Sequence, residues 1–293
     1  VQDTNGKPIP EVLVQGILSE NGTAVYSNAS GVASGYIGEG QQPIKVSGYA
    51  DIEDYAETLT VVKGTAITKT IKLTTRNFLK ITASKSVKFS GNVNMIDVSV
   101  GSGGGAGASM SGYAKAAAGG GGGHTKKAAD LIEKPNTPYP AIIGAGGLGQ
   151  RPGEKANGAP GLAGGTSSFM GVTADPGTGG KPEKGIESRG TGNGNGGYAN
   201  SYSDVKPGEA GTETIYSSFT AEEKYGGGGG ALGKSNNDDT SSSAGGQPAG
   251  GVPGTDGLGG GGGAGGGSGI LSHIGGRGGS GCVAIRMHLK SAA

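Results

Sequence analysis

The sequence has little of what builds a conventional globular interior. Its 293 residues include no tryptophan and only four phenylalanines, and alanine supplies much of the 32% apolar content. The single cysteine, Cys282, excludes an intrachain disulfide framework, and we expect it to be a small buried residue of a strand. No apolar run approaches the roughly 18–20 residues of a membrane span. A core of large apolar side chains is therefore not expected in most of the chain.

The sequence also lacks an excess of charge of either sign. The formal net charge is +1, from 24 basic and 23 acidic residues. Nucleic-acid binding depends on a basic surface that neutralises phosphates, and the composition offers no such surface. We therefore expect no nucleic-acid partner.

Glycine is what the chain has in excess, and it is unevenly distributed. Of 68 glycines, 9 lie in residues 1–76 and 59 in residues 77–293. The glycine fraction of the second part is far above the roughly 7% that is usual in proteins. This contrast predicts two domains, 1–76 and 77–293. Composition alone would also allow low-complexity disorder in the second. An ordered glycine costs about 1–2 kcal/mol of backbone entropy, so order would require nearly saturated backbone hydrogen bonding or a partner chain.

One stretch, residues 251–269, has glycine at every third position. A period of three is the period of the polyproline II helix, which has no internal hydrogen bonds. If such helices are buried, neighbouring chains must satisfy their backbone groups, and only glycine allows that close approach. We therefore predict a bundle of polyglycine II helices in residues 77–293, rather than a short collagen-like segment. The predicted scaffold glycines are Gly251, Gly254, Gly257, Gly260, Gly263, Gly266 and Gly269.

Residues 1–76 are predicted to form a small β-sandwich. Short alternating runs separated by turn residues are typical of sandwiches. We expect strands at 12–18, 24–26 and 44–49, and a last hairpin that joins 58–62 to 66–73 across Lys63-Gly64. Residues 5–9 with Val12 and Val14, Ser30-Gly31 and residues 46–49 resemble carboxypeptidase-regulatory-like (transthyretin-like) domains. That resemblance implies a spacer or adhesion module and no particular chemistry.

Strands are also predicted at both ends of the glycine-rich part. Residues 78–82, 86–89 and 95–100 alternate, and so do residues 281–289. We expect the last of these to pair near the first three, which would close the glycine-rich insertion on one small sheet. Long polar loops are expected at 124–141 and 198–225. Residues 126–134 and 218–224 are candidates for short helical turns, and the alternative is that both pack as loops.

The order of these pieces resembles the glycine-rich domain of bacteriophage tail proteins, including tail-fibre adhesins built as polyglycine II sandwiches. The resemblance is carried by residues 96–105, 142–147, 164–169, 257–269 and 281–286. It implies a mainly β and irregular, non-catalytic virion component, located extracellularly on the tail. Its implied partners are other tail proteins and a host-surface glycan or outer-surface protein. A homo-oligomer, with a trimer favoured, is also expected. The alternative is a secreted or cell-envelope adhesion or structural protein of a bacterium.

Motifs that resemble enzyme or ligand sites lack the context that such sites need. Residues 144–149 fit G-x-G-x-x-G, but the glycines and prolines that follow cannot sustain the helix that a dinucleotide site requires. The histidines show no metal-ligand spacing, and residues 236–240 lack the spaced ligands of a calcium loop. We therefore expect no catalytic residues, no cofactor and no metal.

Aromatic residues concentrate in one glycine-flanked region. Exposed aromatics among polar neighbours suit carbohydrate or protein recognition, and the alternative is that they pack the loops against each other. The candidate receptor-contact residues are Tyr198, Tyr202, Tyr216, Phe219 and Tyr225.

Overall fold

The computed structural model describes residues 1–110, 116–151, 158–200, 204–233, 253–265 and 274–290. Within these ranges the chain is almost entirely strand and irregular structure, with one 3-10 turn at Ile186–Ser188. The predicted fold class, mainly β plus irregular, is confirmed.

The amino-terminal region holds a four-stranded sheet in the order β3-β2-β4-β5. Alternate residues of its inner face, Val14 on β2 and Ile44 and Val46 on β4, are buried because a strand points successive side chains to opposite faces. A separate parallel ladder joins β1 to β6, and Leu73 of β6 belongs to the same buried cluster. The strands are β1 Gln2–Asp3, β2 Leu13–Leu18, β3 Ala24–Tyr26, β4 Gly40–Val46, β5 Tyr55–Val61 and β6 Lys72–Leu73.

The predicted hairpin across Lys63-Gly64 is wrong. The turn is present, since the Thr65 N–H donates to the Val62 carbonyl, but β5 pairs with β4 and the chain after the turn forms no strand until β6. Ile71 and Leu73 are buried in the core cluster. Their burial brings the chain to the side of β1 and away from the edge of β5.

A second four-stranded sheet, in the order β12-β9-β22-β7, lies at the base of the glycine-rich part. The carboxy-terminal strand β22 pairs antiparallel with both β9 and β7, so the predicted closure on one sheet is confirmed, and Cys282 is buried there. The strands are β7 Phe78–Ile81, β8 Lys85–Val87, β9 Val93–Gly101, β10 Ser109–Met110, β11 Ala116–Ala117, β12 Thr125–Leu131, β13 Tyr139–Ala141, β14 Gly158–Ala159, β15 Ser167–Phe169, β16 Val172–Ala174, β17 Tyr198–Ala199, β18 Val205–Lys206, β19 Thr214–Tyr216, β20 Glu222–Lys224, β21 Leu232–Gly233 and β22 Cys282–Leu289.

Both predicted helical turns are wrong. Residues 126–134 lie mostly in β12, which pairs with β9, and residues 218–224 end in β20, which pairs with β19. Without β12, the edge of β9 would leave a row of unpaired backbone groups. Pairing with that edge outweighs a helical propensity that is too short to sustain a helix in water.

Beyond this base sheet the chain forms extended threads, and the first central thread comprises residues 102–109. Successive N–H groups donate to three different neighbouring segments in rotation and return to the first segment after three residues. Such a rotation requires three residues per turn, the geometry of the polyproline II helix. The bonds run from Ser102 to His124, Gly103 to Gly165, Gly104 to Gly279, Gly105 to Gly121, Ala106 to Leu162, Gly107 to Gly276 and Ala108 to Ala118, at 2.8 to 3.0 Å.

The carbonyl groups of the same thread accept from three further segments. Gly103, Gly104 and Gly105 accept from Gly177, Gly147 and Gly262, and the rotation continues when Ala106 and Ala108 accept from Gly180 and Gly265. The first central thread is thus hydrogen-bonded to six surrounding segments. The predicted polyglycine II bundle is confirmed.

A second central thread, residues 118–124, repeats this pattern. Its donors reach residues 175–181, 194–197 and 259–265 in rotation, from Ala118 to Lys181, Gly119 to Gly197, Gly120 to Gly262, Gly121 to Thr178, Gly122 to Gly194, Gly123 to Gly259 and His124 to Asp175.

The period-three run at 251–269 does not form one continuous helix. A turn occupies residues 256–259, with Gly257 and Gly259 at φ values of +73° and +59°, outside the polyproline II region. Gly260 and Gly263 keep the period, since both accept from residues 276–279. Gly254 donates to Arg277 from the other side of the turn. Gly251, Gly266 and Gly269 lie outside the described residues.

Glycine is required in the threads because neighbouring backbones fill the space of a side chain. A Cβ atom at Gly120 would lie 2.1 Å from the carbonyl oxygen of Gly105, and one at Gly105 would lie 2.0 Å from that of Thr178. The apolar interior between threads is made of alanines, with Ala108, Ala117 and Ala264 forming one buried cluster. The larger apolar side chains are concentrated at the base sheet.

Candidate functional site

The glycine-rich body has two different ends. The first central thread starts at the base sheet, directly after β9, and ends at Ser109, which pairs with Ala159. At about 3.1 Å per residue this thread spans roughly 22 Å. The strand pairs β11-β21 and β17-β18 also lie at the far end, which we call the distal end.

The amino-terminal region docks at the opposite end, beside the base sheet. The Ser90 N–H donates to Asp51 Oδ1 at 3.0 Å and the Ala50 N–H to the Lys88 carbonyl at 2.8 Å. The Tyr49 hydroxyl donates to Asn136 Oδ1 at 2.6 Å. Burial raises the pKa of Asp51, against the opposing effect of its Ser90 hydrogen bonds. The body thus separates the docked region from the distal end.

Glu133 lies at this docking interface as a buried and incompletely hydrogen-bonded carboxyl group. Its side chain is 6% exposed, and within the described part of the chain its Oε2 atom has no hydrogen-bond partner. Burial raises the pKa of Glu133 to about 7, and nearby Asp51 adds to the rise while Lys290 opposes it. The carboxyl group is therefore costly to ionise in the folded protein.

Two of the predicted receptor-contact residues are interior. Tyr225 is fully buried, and its hydroxyl donates to the Ser102 carbonyl at 2.7 Å. Tyr216 is 7% exposed, with the Arg286 guanidinium 3.7 Å from its ring centroid. The prediction that these two tyrosines contact a receptor is wrong, because they pack against the second face of the base sheet.

The other predicted aromatics are not brought together. Phe219 is half-buried beside the base sheet, with its ring centroid 5.3 Å from that of His288. Tyr198 is half-buried at the distal end, on β17. Tyr202 lies outside the described residues. The sequence interval 198–225 therefore spans the length of the body and is not one surface.

The hairpin of β19 and β20 is fixed to the base sheet by charge pairs. Lys127 and Lys80 bond Glu222 and Glu223 at 2.7 and 2.6 Å. His124 lies 2.9 Å from Glu213. Burial alone would raise the pKa of Glu213, but hydrogen bonds from His124 and Thr125 lower it overall. These contacts make the hairpin part of the scaffold.

The distal half of the body exposes large apolar side chains that the sequence analysis did not select. Leu148 is 60% exposed and Ile274 46%. Leu162, also exposed, is adjacent to Leu148, since its N–H donates to the Leu148 carbonyl at 3.0 Å. The signal available in the sequence was the position of Leu148 between two glycines, while Leu162 and Ile274 each adjoin one glycine. We call Leu148, Leu162 and Ile274 the distal face, since Ile274 lies beside Gly149, the residue that follows Leu148.

Among the described ranges, no three His, Cys, Asp or Glu side chains converge so that they could hold a metal ion. No helix in the described part of the chain has the length and hydropathy to cross a membrane.

Comparison with known families identifies the larger part of the chain. The sequence model of the glycine-rich domain matches residues 81–288. The chain belongs to the glycine-rich domain family. The match covers the threads and strands β9, β12 and most of β22 of the base sheet, and membership indicates a structural or adhesin-like protein. No curated protein matches the sequence significantly.

Proposed function

We propose that this chain is a non-catalytic component of a bacteriophage tail or tail fibre. In this proposal the amino-terminal region joins the chain to other tail proteins, and the glycine-rich body holds the distal face toward a host cell. The protein would be extracellular on the virion and homo-oligomeric, with a trimer favoured. The resemblance to tail-fibre polyglycine II adhesins supports the proposal.

The observation that carries the proposal is the separation of the two ends. A thread with six hydrogen-bonded neighbours is a rigid spacer. The amino-terminal region docks at its base-sheet end, and the distal face lies along its far half. Exposed apolar side chains that lie together are the kind of surface that binds another molecule. The rigid body lets one end contact a receptor while the other end stays attached.

A cell-binding assay tests this proposal. Fluorescently labelled protein is incubated with a panel of bacterial strains, and bound fluorescence is compared for Leu148→Ser and Ile132→Ser. Both substitutions remove an exposed apolar side chain, but Ile132 is 83% exposed near the base sheet. Loss of a central contact residue typically costs about 2 kcal/mol or more, so Leu148→Ser should weaken binding by about 30-fold.

Three outcomes decide between the possibilities. Selective loss with Leu148→Ser supports host attachment by the distal face. Equal binding by the two variants contradicts the assignment of the distal face. Absence of binding to every strain, with the protein found in purified virions, contradicts receptor binding and leaves a structural tail role.

A further inference from the structure

Backbone hydrogen bonds join the amino-terminal region to the base of the glycine-rich part. Residues 48–51 run parallel to residues 88–91, with Tyr49 opposite Lys88. The N–H groups that donate across this docking interface run from Ala50 to Lys88, from Lys88 to Gly48 and from Gly91 to Pro10, at 2.8 to 3.3 Å. Exchange of these amides with solvent requires the interface to open, so they report whether the two regions are docked.

Two residues at the docking interface have a left-handed backbone. Glu11, from the amino-terminal region, has a φ of +56°, and Asn136, from the glycine-rich part, has a φ of +59°. Glutamate rarely adopts this conformation, and a strained residue keeps it only where its surroundings impose it. Here Asn136 Nδ2 donates to the Glu11 carbonyl at 2.6 Å. Docking thus holds Glu11 under strain, which separation of the two regions would relieve.

Glu133 is buried at the docking interface among groups of its own charge. Burial is the main cost of ionising it, Asp51 and Glu11 of the amino-terminal region add to that cost, and Lys290 opposes it. Within the described part of the chain, Glu133 Oε2 has no hydrogen-bond partner. Ionisation of Glu133 would therefore place a poorly solvated charge close to two carboxyl groups of the region that docks against it.

The basic side chains of the docking interface are held by other groups. Their contacts are Lys290 Nζ with the Gly91 carbonyl at 2.6 Å, Lys88 Nζ with the Tyr49 ring centroid at 4.2 Å, the Arg76 guanidinium with the carbonyls of Tyr49, Ala50 and Ile52 at 2.6 to 3.1 Å, and Lys7 Nζ with the Lys290 carbonyl. None of these contacts involves a carboxylate. Lys290 therefore reduces the cost of charging Glu133 without pairing with it.

Solvent reaches the docking interface close to Glu133. A cleft of about 340 Å³ is lined by Glu11, Tyr26, Pro135 and Asn136. Both strained residues border this cleft, and Pro135 follows Glu133 by two positions in the chain. The two regions therefore meet beside water, which can hydrate the carboxyl group as soon as they separate.

We propose that the docking interface is a pH-dependent latch, in which protonated Glu133 permits the amino-terminal region to dock and ionised Glu133 releases it. The sign follows from burial, which raises the pKa of Glu133 to about 7 in the docked state. In a separated and hydrated state the pKa returns to the ordinary value near 4.3. Docking is therefore tightest below about pH 4.5 and weakens as the pH rises to about 7. This inference does not rest on the proposed function.

Amide hydrogen exchange of the full chain at pH 4.5 and pH 8 tests the latch. The intrinsic rate divided by the observed rate gives a protection factor, which removes the direct effect of pH on exchange. The protection factors of Ala50, Lys88 and Gly91 should fall by about 30- to 300-fold on going to pH 8. At pH 8 they should be at least about tenfold below those of Gly105 and Gly120 in the threads, because the interface opens while the body stays folded.

Matched variants assign the effect to Glu133. Glu133→Gln keeps the size of the side chain and cannot ionise, so the fall in protection at the interface should shrink by at least about tenfold. Glu20→Gln, at an exposed turn, should leave the fall unchanged. Protection of the thread amides at pH 4.5 shows whether each variant is folded, and Glu133→Met replaces Glu133→Gln if that variant is not.

Three results overturn the proposal. The first is interface protection that does not change with pH, and the second is an equal fall in the wild type and in Glu133→Gln. The third is exchange of the interface amides no faster than that of Gly105 and Gly120 at pH 8, which would show that the two regions unfold together and do not separate.

Discussion

Gly120→Ala tests whether hydrogen bonding between threads stabilises the glycine-rich body. The new Cβ would lie 2.1 Å from the Gly105 carbonyl oxygen, while ordinary contact begins at 3.4 Å. The two central threads must therefore separate by about 1 Å. The bond from the Gly105 N–H to the Gly121 carbonyl, 2.8 Å long, is the middle of three that join these threads.

The expected cost follows from that bond and from the overlap. Leaving a buried N–H or carbonyl unpaired costs about 1–3 kcal/mol, and overpacking costs about 1–3 kcal/mol more. We expect a loss of about 4 kcal/mol in unfolding free energy. For a domain of this size each kcal/mol lowers Tm by about 2–4 °C, which gives a fall of about 8–16 °C in differential scanning calorimetry.

Gly171→Ala is the matched control within the same domain. Nothing lies within 4 Å of a Cβ at Gly171, and its φ is +81°. Only the backbone cost of about 1–2 kcal/mol applies there, so Tm should fall by a few degrees. Equal Tm values for the two variants would refute close thread packing as the source of stability.

Two further predictions concern buried polar groups. Glu133→Gln should raise stability at pH 8 by about 2 kcal/mol and have little effect at pH 4; the exposed Glu20→Gln is its control. The sign follows because the folded pKa, about 7, exceeds the ordinary value near 4.3. The contribution of Glu133 to wild-type stability therefore falls as pH rises from about 4.5 to 7 and is constant above, and equal Tm shifts at both pH values would contradict this. Tyr225→Phe should cost about 1 kcal/mol in urea denaturation, because it leaves the buried Ser102 carbonyl without this donor; an unchanged midpoint would argue against that bond.

The sequence was most informative where backbone geometry alone decides the structure. A period of three predicted threads with about three residues per turn, and alternation in residues 281–289 predicted a strand that closes the base sheet. Both depend on local patterns that need no knowledge of neighbours. The turn at Gly257 was missed because the polyproline II helix and this turn both accept glycine, so a glycine at this position does not distinguish the two conformations.

The wrong predictions arose where contacts with a distant part of the chain determine the local structure or the burial of a side chain. Residues 126–131 form a strand because the edge of β9 is free beside them, and no local pattern reports that edge. Tyr216 and Tyr225 were candidates for receptor contact because they lie among polar residues, but the alternative, packing, holds for both, since their side chains cover the base sheet. The distal face was missed because Leu148 and Ile274 are 126 positions apart in the sequence.

The rotation of hydrogen bonds around each central thread restricts how the protein can change in length during evolution. Inserting one residue into residues 102–109 would turn every later N–H group by a third of a revolution, toward a neighbour that has no acceptor at that height. Inserting three would restore each group to its original neighbour. Length variation among relatives should therefore occur in steps of three inside the threads and in any number in the loops that join them.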